Sequence, residues 1–207
     1  WGHVAALRFL YKVGDAELLS APTDQGHTVA HLAAAGGHTD VLHFLSLTVP
    51  LSPLLCAPDG AGKTPAHMAC QGGHLGALRE IIGSPARRDA VMGVTAEGFS
   101  CAFVAAASPK TAESGVREEM LRYLFEVGGK ELFMLVGNTG MTVAHACCQC
   151  PDESLIRSLL EMSGSLRRLL RMTDSQGRNC TDTALYHGNT KVAEYLVDVW
   201  GVTGVRA

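Results

Sequence analysis

The strongest constraint on the fold is a short sequence segment that recurs along the chain. Gly26–Ala33 (Gly-His-Thr-Val-Ala-His-Leu-Ala) matches Gly62–Ala69 (Gly-Lys-Thr-Pro-Ala-His-Met-Ala), 36 positions further on. Further copies begin 36, 42 and 37 positions later in turn, at Gly98, Gly140 and Gly177, and the last copy is the weakest. A recurrence at this spacing predicts a repeat protein, in which each repeat is one supersecondary unit that stacks on its neighbours.

A second shared segment follows the first, Gly36–Leu45 in one repeat and Gly72–Ile81 in the next. The chain opens at Gly2–Leu10 with this second segment alone, so the sequence predicts an N-terminal half repeat. We expect the last helix to expose apolar Val197, Val199 and Trp200. Since terminal repeats of free arrays carry a polar outer face, we expect both ends to abut more chain or another subunit.

Each repeat has the sequence signals of two short helices. Thr28 stands before a run of helix formers, where its hydroxyl can accept a hydrogen bond from the third helical residue. Pro65 occupies the first helical position, which favours proline. Gly37 is placed to end the first helix in the left-handed conformation, and Val41 and Leu45 form part of an apolar stripe on the second. Helices this short need stacking to be stable.

Thr64–Ala69, followed by Gly73 and His74, resembles the ankyrin repeat, whose signature is Thr-Pro-Leu-His-x-Ala with a following Gly-His. The resemblance implies an all-α fold, an ankyrin-type α-solenoid of stacked helix–turn–helix repeats with short finger hairpins, in a single array over 1–207. The match is strong in the repeats at 23–58 and 59–94, clear in the repeat at 137–173, and degenerate in the repeats at 95–136 and 174–200. The predicted divisions are a half repeat at 1–22, repeats at 23–58, 59–94, 95–136, 137–173 and 174–200, and a tail at 201–207.

These repeats are longer than the roughly 33 residues of the ankyrin unit. The surplus follows the second helix, in Ala16–Leu19, Lys130–Phe133 and Leu166–Leu170. We predict an extra helical turn at each place, which buries Leu or Phe under the finger loop. By comparison with the neighbouring repeats, the repeat at 95–136 has an insertion of about seven residues within Ser108–Arg117. This insertion predicts a polar loop between the two helices of that repeat.

Composition limits the compartment and the class of partner. A net charge of −3 gives no positive field for nucleic acid, so we predict no nucleic-acid partner. No apolar run reaches the roughly 18 to 20 residues that a membrane span requires. The seven cysteines are an odd number and several lie within helical patterns, which favours reduced thiols in an intracellular compartment, the cytoplasm or an organelle interior. Because the chain starts at Trp1, we expect any targeting segment to be absent from it.

Two groups of residues could be mistaken for catalytic or metal sites. His31, His67 and His145 occupy one position in successive repeats, too far apart to share an ion, and the ankyrin resemblance implies a structural role for them. Cys147–Cys150 offers three thiols beside His145, but no second cysteine pair stands at zinc-finger spacing. We therefore predict a protein that is not an enzyme and has neither a metal nor a cofactor.

The ankyrin resemblance implies that partners bind the concave face formed by finger tips and first helices. The anchors are expected at Phe99, Met141 and Tyr186, since such side chains dominate interface energetics. Carried over position by position, the predicted contact set is Asp24, Gln25, His27, Lys63, Gln71, Glu97, Phe99, Asn138, Met141, Gln149, Arg178 and Tyr186, with Ala35, Ala96, Thr139, Ser175 and Gln176 beside them.

The leading functional prediction is a protein–protein interaction scaffold, an accessory or adaptor subunit of a larger assembly. One alternative is the targeting domain of a multidomain enzyme whose catalytic part lies outside this chain. Another is a metal or redox protein that uses Cys147–Cys150. Arg167, Arg168 and Arg171 make the C-terminal third locally basic, which fits either a solvated face or a docking patch for an acidic segment or a phosphate group.

Overall fold

The computed structural model describes residues 3–83, 88–109 and 115–204. Within these ranges the regular secondary structure is helical and contains no β-strand, so the all-α prediction is confirmed. The chain divides into two compact units, Trp1–Ala96 and Glu97–Ala207. A single array over 1–207 stays a prediction. Across the described part of the chain, no helix combines the length and the apolar character needed to cross a membrane.

The first unit consists of helix pairs that contact one another in sequence order. α2 contacts both its partner α3 and the following α4, and α3 contacts α5. Ala30, Ala33 and Ala34 of α2 are buried, and their small side chains allow the close approach of α4. The helices are α1 (Val4–Ser20), α2 (Val29–Ala35), α3 (Thr39–Leu47), α4 (Pro65–Gly72), α5 (Leu75–Ile82) and α6 (Asp89–Met92), with a 3₁₀ helix at Ser52–Leu55.

The second unit repeats this arrangement with three pairs. The first helices α7, α9 and α11 contact in order, and so do the second helices α8, α10 and α12. Each pair thus buries its apolar face against the next, as short helices require. The bounds are α7 (Cys101–Ala107), α8 (Val116–Phe133), α9 (Val143–Cys148), α10 (Glu153–Met162), α11 (Cys180–Tyr186) and α12 (Thr190–Trp200), with a 3₁₀ helix at Gly164–Arg171.

The predicted extra turns after the second helices are confirmed. Non-helical Asp15 interrupts α1 and non-helical Gly129 interrupts α8, so that a short helical turn follows each break. The third predicted turn is the 3₁₀ helix at Gly164–Arg171. These turns bury the apolar side chains of Leu19, Leu132, Phe133, Leu166, Leu169 and Leu170.

Two equivalent turns were missed from the sequence, at Ser52–Leu55 and Asp89–Met92, where Leu55 and Val91 are buried. The centre of the insertion predicted within Ser108–Arg117, residues 110–114, lies outside the described residues.

Candidate protein-binding surface

The hairpins that precede the first helices are closed by backbone and side-chain hydrogen bonds. The Asp59 N–H donates to the Lys63 carbonyl at 2.8 Å, and the Asp174 N–H donates to the Arg178 carbonyl at 2.9 Å. The carboxylate of Asp59 also accepts from the N–H groups of Ala61 and Lys63. Asp174 accepts in the same way from the N–H groups of Gln176 and Arg178. Each aspartate side chain therefore closes its own hairpin.

Successive hairpin tips are joined to one another by single backbone hydrogen bonds. In the first unit the Gly60 N–H donates to the Gln25 carbonyl at 3.0 Å. In the second unit the Asn138 N–H donates to the Glu97 carbonyl at 2.8 Å, and the Ser175 N–H donates to the Thr139 carbonyl at 2.7 Å. The tips thus form a continuous row within each unit, although their backbone has no strand conformation.

Close approach of the hairpins depends on the glycine that begins each recurring segment. Gly26 and Gly140 have φ of +81° and +77°, in the left-handed region that favours glycine. A Cβ on Gly26 would lie 2.7 Å from the Gly60 nitrogen, and one on Gly140 would lie 3.0 Å from Cα of Asp174. The repeated glycine therefore serves both the turn and the contact with the next hairpin.

The repeated histidine connects its own helix to the following hairpin. Nδ1 of His31 accepts from the Thr28 N–H at 3.1 Å, while Nε2 lies 3.0 Å from the Lys63 carbonyl oxygen. His145 makes the same two contacts, with the Thr142 N–H at 3.2 Å and the Arg178 carbonyl at 3.2 Å. An acceptor Nδ1 and a donor Nε2 correspond to the neutral ring.

Desolvation by burial lowers the pKa of both His31 and His145, although backbone carbonyls at Lys63 and Arg178 oppose this shift. The neutral ring is therefore favoured in the folded protein. Each ring is fully occupied by structural contacts, which supports the structural role that the resemblance implied.

The last repeat has Asn179 and Asp182 in place of the threonine and the histidine. Asn179 and Asp182 cap α11 reciprocally, each side chain accepting from the backbone N–H of the other at 3.0–3.1 Å. The tail residues then take the place of a following hairpin: the Asn179 amide donates to the Thr203 carbonyl at 2.8 Å, and the Thr181 hydroxyl donates to the Val202 carbonyl. This contact of the tail with α11, which left-handed Gly201 makes possible, was not predicted.

In the first unit, the predicted contact residues divide between exposed tips and half-buried hairpin bases. Asp24, Gln25 and Gln71 are exposed. His27 and Lys63 are half-buried because they close the hairpins, and His27 Nε2 lies 3.1 Å from the buried Asp59 carboxylate. Of the residues placed beside this set, Ala35 and Ala96 are exposed.

In the second unit, the tips are again exposed and the predicted anchors differ from one another. Glu97 and Asn138 are exposed, whereas Met141 and Gln149 are half-buried. Phe99 is half-buried and stacks on Phe103, with ring centroids 4.0 Å apart and planes 6° apart. The additional predicted tip residues of this unit are all exposed, namely Thr139, Ser175 and Gln176.

The structure brings Arg178 and Tyr186 together. The guanidinium of Arg178 lies 4.6 Å from the centroid of the Tyr186 ring, and the ring remains 72% exposed. Arg178 is fixed from below by the buried carboxylate of Asp174, at 2.7 and 2.8 Å. Burial opposes ionisation of Asp174, but hydrogen bonds from Arg178 and Gln176 outweigh it and hold the pKa of this carboxyl below its ordinary value.

The exposure of Leu185, which precedes Tyr186 in the sequence, was not predicted. Leu185 is 53% exposed, although the equivalent positions of the other repeats, Ala34, Cys70, Ala106 and Cys148, are fully buried. The signal was available, because Leu185 is the only large aliphatic side chain in this column of the repeat alignment. We define Arg178 and Tyr186 as the tyrosine platform.

The cysteine cluster is buried. Cys147 and Cys148 are fully buried, and desolvation raises the pKa of the Cys147 thiol well above its ordinary value. Contact with Cys180, together with burial, raises the pKa of Cys148 in the same direction. Within the described ranges, no group of three or more histidine, cysteine or acidic residues has the geometry to hold a metal ion.

Comparison of the sequence with protein-family profiles and with curated proteins finds no match. The internal repeats and the geometry described above therefore carry the functional argument.

Proposed function

We propose that the chain is an ankyrin-type repeat array that acts as a protein–protein interaction scaffold, an accessory or adaptor subunit of a larger assembly. The partner binds the surface formed by the hairpin tips and the first helices. The observation that carries this proposal is the tyrosine platform, an exposed aromatic ring stacked against an arginine whose position is fixed. Arginine and tyrosine are the side chains most often found to dominate binding energy in protein interfaces.

The platform is also preorganised. Arg178 is held by Asp174 at one end and lies over the Tyr186 ring at the other, so little side-chain freedom remains to be lost when a partner binds. The exposed tips of each unit, Asp24 and Gln25 in the first and Glu97 and Asn138 in the second, supply polar groups of the kind found at an interface rim.

A binding role is favoured over catalysis because the conspicuous reactive groups have structural duties. His31 and His145 are engaged at both ring nitrogens, and the buried thiols of Cys147 and Cys148 are held protonated. The same burial disfavours the metal or redox alternative. We also propose an intracellular, reducing location, which the odd number of cysteines and their helical positions favour.

The targeting domain of a multidomain enzyme is the remaining alternative, and it would use the same surface. The length of the complete reading frame separates the two proposals, because only the second requires a catalytic domain in the same polypeptide.

Affinity capture with matched variants tests the proposed surface. The full chain and its Tyr186→Ala variant are used as baits in an extract of the cells that produce the protein, and bound proteins are quantified by mass spectrometry. Loss of an interface anchor is expected to lower recovery of the partner by at least about tenfold.

The matched control for that capture is Tyr195→Ala. Tyr195 lies on α12, and the guanidinium carbon of Arg157 lies 5.0 Å from the centroid of its ring. The control therefore also removes an arginine–tyrosine contact, but one that lies outside the proposed surface. If the Tyr195 variant loses as much partner as the Tyr186 variant, or neither loses any, the proposed surface is wrong.

A further inference from the structure

A second surface of the second unit lies outside the tyrosine platform. The 3₁₀ helix Gly164–Arg171 and the end of α12 enclose a groove of about 410 Å³. Its walls combine three guanidinium groups with an indole ring and two aliphatic side chains. The lining residues are Arg167, Arg168, Leu170, Arg171, Trp200 and Val202.

The charge of this groove is not neutralised by the described part of the chain. Arg157 and Arg178 elsewhere in this unit pair with Glu153 and Asp174 at 2.8 and 2.7 Å. In contrast, no carboxylate of the described residues lies within ion-pair distance of any of the three groove arginines. Arg168 and Arg171 are exposed. Three guanidinium groups that share one concavity favour an anionic ligand, since each can form paired hydrogen bonds with an oxyanion.

The indole of Trp200 supplies an apolar wall of the groove. Arg167 lies over this ring, with its guanidinium carbon 4.6 Å from the centroid. The indole Nε1 is buried and has no hydrogen-bond acceptor among the described residues. A buried N–H without an acceptor is costly, so the described residues leave this edge of the indole unsatisfied.

We propose that this groove binds an anionic peptide segment, in which two or more negative charges flank an apolar side chain. The charges pair with Arg167, Arg168 and Arg171, and the apolar side chain packs on Trp200 and Val202. A free oxyanion would leave that apolar wall unused. A nucleic acid is disfavoured because the chain as a whole is acidic, with a net charge of −3.

This groove is a separate site from the tyrosine platform, so it goes beyond the proposed function. Its ligand is a short linear segment recognised by charge, as arginine clusters recognise acidic and phosphorylated motifs. The negative charges can come from acidic residues or from phosphorylated side chains, and the two sources are separated by the choice of peptide.

Fluorescence anisotropy with the full chain tests the proposal. Three short labelled peptides share a central leucine and differ in the flanking residues, which are glutamate, phosphoserine or glutamine. Binding is expected for one or both of the charged peptides, and not for the glutamine peptide, with affinity that falls as salt is added. The tighter of the two charged peptides identifies the source of the charge.

The double variant Arg168→Gln with Arg171→Gln is expected to lower the affinity for the charged peptide by at least about tenfold. Arg157→Gln, which removes a guanidinium that lies outside the groove and pairs with Glu153, is the matched control and should bind normally. Circular dichroism confirms that both variants are folded. Tyr186→Ala should also bind normally, which separates this site from the proposed function.

Several results would overturn the proposal. The first is equal binding of charged and neutral peptides, and the second is equal weakening by the groove variant and the Arg157 variant. The third is selective binding of phosphatidylserine–phosphatidylcholine vesicles or of a single-stranded oligonucleotide without binding of the charged peptides, which would assign the groove to another class of ligand.

Discussion

Nε2 of His31 lies 3.0 Å from the carbonyl oxygen of Lys63, 32 positions further along the chain. His145 makes the equivalent contact with Arg178. The same rings accept a hydrogen bond from the N-cap residue of their own helix. One side chain therefore fixes the start of a first helix and attaches that helix to the next hairpin, which in the case of Arg178 also presents the tyrosine platform.

Removal of this connection should destabilise the fold. His145→Ala leaves the Thr142 N–H and the Arg178 carbonyl without their partner in a buried place, so we expect a loss of about 2–4 kcal/mol in the free energy of unfolding. Urea denaturation followed by circular dichroism measures it. His43→Ala is the control, because His43 is exposed and pairs with Glu80 at the surface, where the loss should stay below about 1 kcal/mol. Equal losses would contradict the proposed role of His145.

Stability should depend on pH through the buried histidines. Burial lowers the folded-state pKa of His31 and His145. As the pH falls below about 6.5, the histidine pKa of the unfolded chain, the unfolded chain therefore binds more protons than the folded protein does. Their contribution is complete above about pH 6.5 and decreases as the pH falls through the lowered folded-state pKa. Urea denaturation between about pH 7.5 and about pH 5 measures this decrease.

The double variant His31→Gln with His145→Gln is the comparison for that experiment. Glutamine at the third helical position can still accept from the N-cap N–H, so the helix cap is retained while the titrating ring is removed. The double variant should lose less stability than the wild type as the pH falls. An identical pH dependence in both proteins would contradict the account of these two rings.

A side chain on a hairpin glycine should destabilise the fold. In Gly140→Ala, the left-handed backbone is strained and the new Cβ meets Asp174 in the next hairpin. Gly188→Ala is a matched control, since Gly188 has φ of +75° and no atom lies within 4 Å of the place that its Cβ would occupy. The control should cost about 1–2 kcal/mol, and Gly140→Ala at least about 1 kcal/mol more. Equal costs in thermal unfolding would show that hairpin contact contributes nothing.

The cysteines should differ sharply in reactivity. Cys56 is exposed, whereas Cys147, Cys148 and Cys180 are fully buried, and only accessible thiolates can attack a thiol reagent. We expect a thiol-specific reagent to modify Cys56 in the native protein and the other three only after denaturation, with mass spectrometry identifying the sites. Rapid native modification of Cys147 or Cys148, or stoichiometric zinc in the purified protein, would support the metal or redox alternative instead.

Much of the helical structure could be predicted because local signals agree with the repeat spacing. Thr28 forms the predicted cap, and Gly37 has the predicted left-handed conformation; Thr64 and Gly73 do the same in the next repeat. The additional turn at Ser52–Leu55 was missed because its proline and short length resemble a loop. Sequence alone does not reveal the hydrogen bonds between hairpin tips, since those bonds use backbone groups that every residue carries.

The candidate sites were predicted less completely. Tyr186 was selected from its repeat position, but its contact with Arg178 depends on the side-chain conformation that Asp174 imposes. Trp200 was expected to be an exposed apolar residue at the end of the last helix, whereas it is half-buried under Arg167. Its place in the arginine groove required the three-dimensional arrangement of the 3₁₀ helix and α12.

Site-specific photo-crosslinking in cells tests the proposed binding surface most directly. A benzophenone amino acid is placed at position 186, on the tyrosine platform, and in a separate protein at position 194, where Glu194 is exposed on α12. The proposed function predicts a discrete adduct between the chain and another protein from position 186, and little or none from position 194. Equal adducts at both positions, adducts from position 194 alone, or no adduct from position 186 would contradict it.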